Sequence, residues 1–187
     1  MTDKLDTLQT FYYKRAHEIK KKFNRVVPFG DAIIDRWEKS KLLGFGKNTS
    51  IYDSAIIFGE VEVGENTWIG PHVILDGSGG ILTIGSYCNI SAGTQIYTHN
   101  SVAWVITGGK AEYVKKSTTI GSYVYIGPHV TISAGVHIGD HVIIGAHSYV
   151  DKDIPSYTMA FGSPARKQGE IVLTNDNNYI VRHINNI

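Results

Sequence analysis

The segment Ile96-Tyr97-Thr98-His99-Asn100 holds the side chain best suited to chemistry in this chain. Imidazole exchanges a proton near neutral pH, so a neutral His99 can take the proton of a hydroxyl or an ammonium as that group attacks a carbonyl carbon. Asn100 beside it has two readings, as a group that orients the imidazole or the acceptor, or as an ordinary turn residue. Seven further histidines compete with His99. His72, His129, His141 and His147 each take the fourth place of a six-residue unit, a place that faces outward. His129 and His147 share one face, but a solvent-facing pair lacks the third ligand of a zinc site, so no metal is expected. Cys88, the single cysteine, takes an inward place and reads as a core thiol and not as a covalent carrier. Alone, it also excludes an internal disulfide framework.

The elements that must hold His99 follow from composition and period. A chain of 187 residues, 42% of them hydrophobic, suits one domain with a continuous core. A formal charge of +1 gives no reason to expect nucleic acid as a partner, and any phosphate-bearing ligand must be held by a local basic cluster. No apolar run approaches the ~20 residues that span a bilayer, and Lys4, Lys14 and Arg15 are not followed by an apolar signal core. A cytoplasmic protein with no membrane span is therefore expected.

From Phe45 onward the chain has a period of six. Apolar residues recur at Ile51, Ile57, Val63, Ile69 and Leu75, and after a three-residue slip at Ile84, Ile90 and Ile96. A last block runs through Ile120, Ile126, Ile132, Ile138, Ile144 and Val150. Four residues after each of these markers stands a small or β-branched residue, such as Thr94, Val130 or Ser148. Two positions in six therefore point inward, the signature of short strands stacked into a solenoid whose like positions form continuous columns. A β-sandwich has no reason to keep so strict a spacing. With 18 residues to a coil, Ile120 stacks under Ile138 and Ile51 under Ile69, and the count gives about five coils. Residues 97–119 break the pattern and are expected to protrude as a loop, with a degraded sixth coil as the alternative. Ahead of the repeats, Leu5, Leu8, Phe11, Tyr12, Ile19 and Phe23 have helical spacing, and Asp31 is placed to cap a second short helix carrying Ile33, Ile34 and Trp37. The expected units are a helical cap over 1–44, the repeat domain over 45–168, and a C-terminal extension over 169–187.

The pattern [LIV]-G-x-x-[small]-x resembles the hexapeptide repeat of the acyltransferases built on a left-handed parallel β-helix, over about residues 45–168. Left-handedness is implied by that resemblance alone, since general rules favour right-handed crossovers. The ends Val150-Asp151-Lys152-Asp153-Ile154-Pro155 and Gly162-Ser163-Pro164-Ala165-Arg166-Lys167 resemble the family's V-x-K-D-I-P and G-x-P-A-[KR] signatures. The resemblance implies acetyl-CoA as donor, His99 as general base, and Gly162, Ser163, Ala165, Arg166 and Lys167 beside the coenzyme. Tyr125 stands where several relatives carry Trp, which implies either that it takes over the aromatic contact beside the coenzyme or that the acceptor differs. The resemblance further implies a homotrimer with active sites between neighbouring subunits. The acceptor it implies is an amino or hydroxyl group of a sugar, nucleotide-linked and destined for a polysaccharide, with a non-sugar acceptor or a non-catalytic, carbonic anhydrase-like protein as alternatives.

Overall fold

The computed structural model describes residues 2–184. Its repeats form a parallel β-helix with three faces. The first face stacks the two-residue strands Ser50–Ile51, Trp68–Ile69, Asn89–Ile90, Tyr125–Ile126 and Ile143–Ile144 in that order, followed by Thr158–Gly162. The second face runs through Ile57, Leu75, Ile96, Ile132 and Val150, and the third through Val63, Ile84, Ile120, Ile138 and Ile154. Ile120 is in register with Ile138, Ile126 with Ile144, Ile132 with Val150, and Ile51 with Ile69, as an 18-residue coil requires. Five coils carry all three faces, and a sixth begins on the first face before the chain reverses into Ala165–Leu173 and Tyr179–His183. The C-terminal residues thus add two antiparallel strands to the first face, although the last three residues of the expected extension lie outside the described residues.

The core is the set of aliphatic columns the period defines. Ile69, Leu75, Ile90, Ile96, Ile126, Ile132 and Ile144 have no exposed surface, and each such side chain contributes about 1.5–3 kcal/mol of burial. The second inward position holds small or β-branched residues, and where these carry a hydroxyl it meets the backbone of the turn. There Thr67 Oγ1 donates to the carbonyl of Gly85 at 3.1 Å, Thr94 Oγ1 to Gly127 at 3.1 Å and Ser148 Oγ to Gly145 at 2.7 Å, which satisfies buried carbonyls at the corners.

The corners also explain the outward histidines. His72, His129, His141 and His147 have φ between 55° and 57°, and Tyr87, Tyr123 and Tyr157 between 58° and 62°, the left-handed conformation these corners need. That conformation costs about 1 kcal/mol or more for a residue with a Cβ. Ring stacking along the axis offsets it: Tyr87, Tyr123, His141 and Tyr157 form a ladder with centroids 4.6–5.3 Å apart.

Residues 97–119 form a loop and not a degraded coil. Ile84 pairs directly with Ile120 and Ile90 with Ile126, so no rung lies between them. The chain leaves the second face after Ile96 and re-enters on the third at Thr118–Ile120.

Three helices precede the repeats: α1 (Thr2–Phe23), α2 (Phe29–Ile33) and α3 (Arg36–Leu42). The expected single helix over Ile33, Ile34 and Trp37 is broken, because Ile34 is extended, with φ −84° and ψ 124°. The capping residue is Asp35, whose Oδ1 accepts from the backbone of Trp37 and Glu38 at 2.9 and 3.1 Å. Asp31 instead accepts from the backbone and hydroxyl of Ser54, tying the helices to the first coil. Lys39 completes the tie, donating to the carbonyls of Tyr52, Asp53 and Ala55.

Candidate active site

Two departures from the six-residue period lie one coil apart at the same corner, and they face each other. The first is the short slip between Leu75 and Ile84, which carries Asp76, Gly77, Ser78, Gly79 and Gly80 within the strand Ile74–Ile84. The second is the loop after Ile96, whose root is the antiparallel pair His99–Asn100 with Val114–Lys115. Thr98, fully buried, joins the two: its Oγ1 donates to the carbonyl of Asp76 at 2.8 Å and accepts from the Gly79 N–H at 3.0 Å. Glycine is required at position 79, since a Cβ there would fall 2.5 Å from that of His99 and 2.4 Å from the Thr98 carbonyl oxygen.

This docking brings His99 Nδ1 to 3.2 Å from Asp76 Oδ2 and 3.2 Å from Ser78 Oγ. Asp76 is nearly buried, with 6% of its side chain exposed against 30% for His99. Its other oxygen, Oδ1, accepts from the Ser78 N–H at 2.9 Å and the Ser78 hydroxyl at 2.6 Å, so the carboxylate cannot rotate freely. A carboxylate at Nδ1 fixes that nitrogen as the N–H and leaves the Nε2 lone pair for an incoming proton. The ring of Tyr113 lies parallel to the imidazole, centroids 6.4 Å apart, and Trp104 of α4 (Val102–Ile106) meets Tyr113 edge-on. Nearby, burial and then the Asp76 charge push the Tyr97 phenol above its usual pKa. Asn100 is exposed, and its Oδ1 accepts from the Val102 N–H at 3.2 Å, at the start of α4.

Asp76 and Ser78 are the partners that sequence reasoning missed. Their signal was present in the interrupted period after Leu75, where an acidic residue follows an inward aliphatic, but no spacing rule says that this break meets the next one.

The residues expected to hold CoA lie elsewhere. Gly162, with φ 109°, and Ala165 are paired across the tight turn joining Thr158–Gly162 to Ala165–Leu173, with Ser163 and Pro164 at its tip. Ala165 is buried, so its contact with a ligand could come through its backbone alone. Arg166 Nη1 reaches Asp151 Oδ1 at 2.8 Å, and Lys167 reaches Glu170 at 2.7 Å. Arg166 thereby holds the Asp151 carboxyl below its usual pKa, and Lys167 does the same to Glu170. Both pairs are solvent-exposed and weak enough to exchange for phosphate. Tyr125 stands outward on the first face, beside a groove of about 380 Å³ lined by Tyr123, His141, Ile171 and Tyr179. His99 sits at the corner between the second and third faces, where the column after Leu75, Ile96, Ile132 and Val150 also carries Asp151, the partner of Arg166. From its coil to the turn at residues 162–165 is three rungs of ~4.8 Å, about 14 Å along the axis.

Cys88 is buried, and burial raises its thiol pKa. His129 and His147 stack with centroids 5.2 Å apart, and among the described residues no cluster of three metal-ligating side chains occurs. No helix among them is long and apolar enough to cross a membrane.

Residues 117–152 match the family model described as bacterial transferase hexapeptide (six repeats). No curated protein sequence matches the chain. Among solved structures, a hexapeptide-repeat-containing acetyltransferase from Vibrio cholerae is 27% identical, with a TM-score of 0.63 over 89% of this chain and 92% of that one. A maltose O-acetyltransferase from Clostridium difficile is also 27% identical, with a TM-score of 0.63 over 86% of both chains. A galactoside acetyltransferase in complex with coenzyme A is 25% identical, with a TM-score of 0.64 over 87% of this chain and 82% of that one. Such superpositions do not survive mirror inversion, so the coil has the left hand of the hexapeptide-repeat fold.

Proposed function

We propose that this chain, which has the repeat and the fold of the hexapeptide acetyltransferases it resembles, moves an acetyl group from acetyl-CoA to a hydroxyl group of a sugar, with His99 as general base. The observation that carries this reading is the pairing of His99 Nδ1 with the nearly buried Asp76 at 3.2 Å, which leaves Nε2 to accept a proton. As the sugar oxygen bonds to the thioester carbonyl carbon, its proton passes to Nε2; when the carbonyl re-forms, the C–S bond breaks and the proton can follow the CoA thiolate. Asp76 holds the tautomer and the orientation of the ring. An acceptor amine arriving as its ammonium would use the same pair, and what favours a hydroxyl is the similarity to a maltose O-acetyltransferase. Support for a sugar comes from the similarity to the maltose and galactoside enzymes. A nucleotide-linked sugar is the acceptor we favour.

We further propose that the chain works as a homotrimer. His99 and the turn that resembles a CoA-binding signature lie about three rungs apart along one prism, and support for a trimer is the resemblance to acyltransferases whose active sites lie between neighbouring subunits. The test is release of CoA from acetyl-CoA over a panel of free and nucleotide-linked sugars. His99→Ala should lower kcat by ~10²–10⁴-fold and leave binding of CoA unchanged. Mixing His99→Ala chains with chains carrying Arg166→Ala and Lys167→Ala should restore activity through mixed trimers. Full activity in His99→Ala with a hydroxyl acceptor, or in a sedimenting monomer, would reject the respective reading.

A further inference from the structure

Between the C-terminal half of α1 and the α2–α3 segment lies a cavity of about 330 Å³ whose charges are unevenly matched. Arg15, Lys22, Arg25 and Arg36 face it, together with the carboxylates of Glu18, Asp31 and Asp35. Each carboxylate is already engaged. Glu18 pairs with Arg15 at 3.3 Å, Asp31 accepts from Ser54, and Asp35 caps α3. Among the described residues, Lys22, Arg25 and Arg36 have no carboxylate partner.

These three cations rest on aromatic rings instead. Lys22 Nζ lies 5.0 Å from the Phe23 centroid and the Arg25 guanidinium 4.9 Å from it, while Arg36 lies 4.8 Å from Trp37 and 4.7 Å from Tyr52. Stacking holds a guanidinium by its face and leaves its N–H edge directed at whatever fills the space beside it. Arg25 Nε is buried with no hydrogen-bond partner, and its Nη1 reaches the Tyr52 hydroxyl at a long 3.4 Å. A buried charged donor left unpaired is costly, and an oxyanion in the cavity would remove that cost. Asp31 and Asp35 accept from neutral donors and keep their charge, so the four cations and three carboxylates leave the cavity with a net charge of +1, and the unpaired N–H donors of its cations are the local feature.

We propose that this cavity binds a phosphoryl group, with Arg25 and Arg36 as the hydrogen-bonding donors and Lys22 as a further positive charge at its edge. The N–H edges of two guanidinium groups match the several oxygens of a phosphoryl group better than the two of a single carboxylate. Two sources fit the chemistry: the phosphates of CoA, or a nucleoside diphosphate carrying an acceptor sugar. The site does not depend on His99 being the base.

Calorimetric titration of the full chain with inorganic pyrophosphate tests it. Binding is expected, weakening as salt is raised, and the double change Arg25→Gln and Arg36→Gln should reduce affinity by about 100-fold or more, since each charge-assisted bidentate contact is worth about tenfold or more. Should the double variant lose its melting transition, Arg36→Gln and Lys22→Gln are read singly, with expected losses of about tenfold and about 3–10-fold. Displacement of pyrophosphate by CoA assigns the donor as the source, and displacement by UDP or dTDP assigns the acceptor. No binding to the wild-type chain, equal binding in folded variants, or displacement by neither nucleotide overturns the proposal.

Discussion

Asp76→Asn separates a working Asp–His pair from a chance contact. In the native site Oδ1 of Asp76 takes two hydrogen bonds from Ser78, and Oδ2 faces His99 Nδ1. An asparagine keeps its carbonyl oxygen on the two Ser78 donors and turns its NH₂ toward Nδ1. Two donors cannot face each other, so the imidazole changes tautomer, placing its proton on Nε2 and its lone pair on Nδ1. The base then has a proton where it should have a lone pair. The whole advantage of general-base catalysis is at stake, ~10²–10⁴-fold in kcat, or about 3–5 kcal/mol of transition-state stabilisation. Initial rates of CoA release give kcat and KM for both substrates, and thermal melting shows whether the fold persists. The expected result is a large fall in kcat with KM for acetyl-CoA nearly unchanged. Because both residues act through one proton transfer, His99→Ala should cost little more when added to Asp76→Asn. A variant within about threefold of wild-type kcat, or losses that simply add, would refute the pairing as a catalytic device.

Gly79→Ala places a methyl group against the Thr98 carbonyl and the His99 Cβ, so kcat should fall tenfold or more while circular dichroism stays native. The pair Arg166→Ala and Lys167→Ala should raise KM for acetyl-CoA about tenfold with a smaller effect on kcat, as steady-state kinetics would show. Cys88→Ala should leave turnover within about twofold, with intersecting initial-rate lines rather than the parallel lines of a covalent carrier. Native Cys88 should resist alkylation that proceeds readily in denaturant. Its raised pKa also sets a sign: the stability it contributes is complete below the ordinary thiol value and is lost as pH rises through that value toward the folded one, measurable as a falling melting temperature in alkali.

Much of this protein was legible in one dimension because a solenoid is nearly one-dimensional. Each coil touches its immediate neighbours, so the spacing of Ile120, Ile126, Ile132 and Ile138 directly states which residues stack, and the observed registers agree. The long α1 was readable from its helical spacing, and the break after Ile96 from loss of the six-residue period. Less readable were the short helices, where Asp31 and Asp35 are both plausible caps and the choice turned on the extended Ile34. Tyrosines at left-handed corners were unreadable, since their strain is offset by rings one coil away.

The sequence by itself determined the repeat and the inward columns, which depend on period and residue type, while His99 became the candidate base from its place at a break in the period together with the family resemblance. Tertiary structure alone decided that residues 97–119 replace a corner rather than a coil, that Asp76 and Ser78 stand against His99, and that Arg166 and Lys167 are paired with Asp151 and Glu170. The physical reason is common to all three. A strict period predicts the neighbours of residues that keep it, whereas residues that break it leave the stack, and what they meet depends on where the next break falls in space.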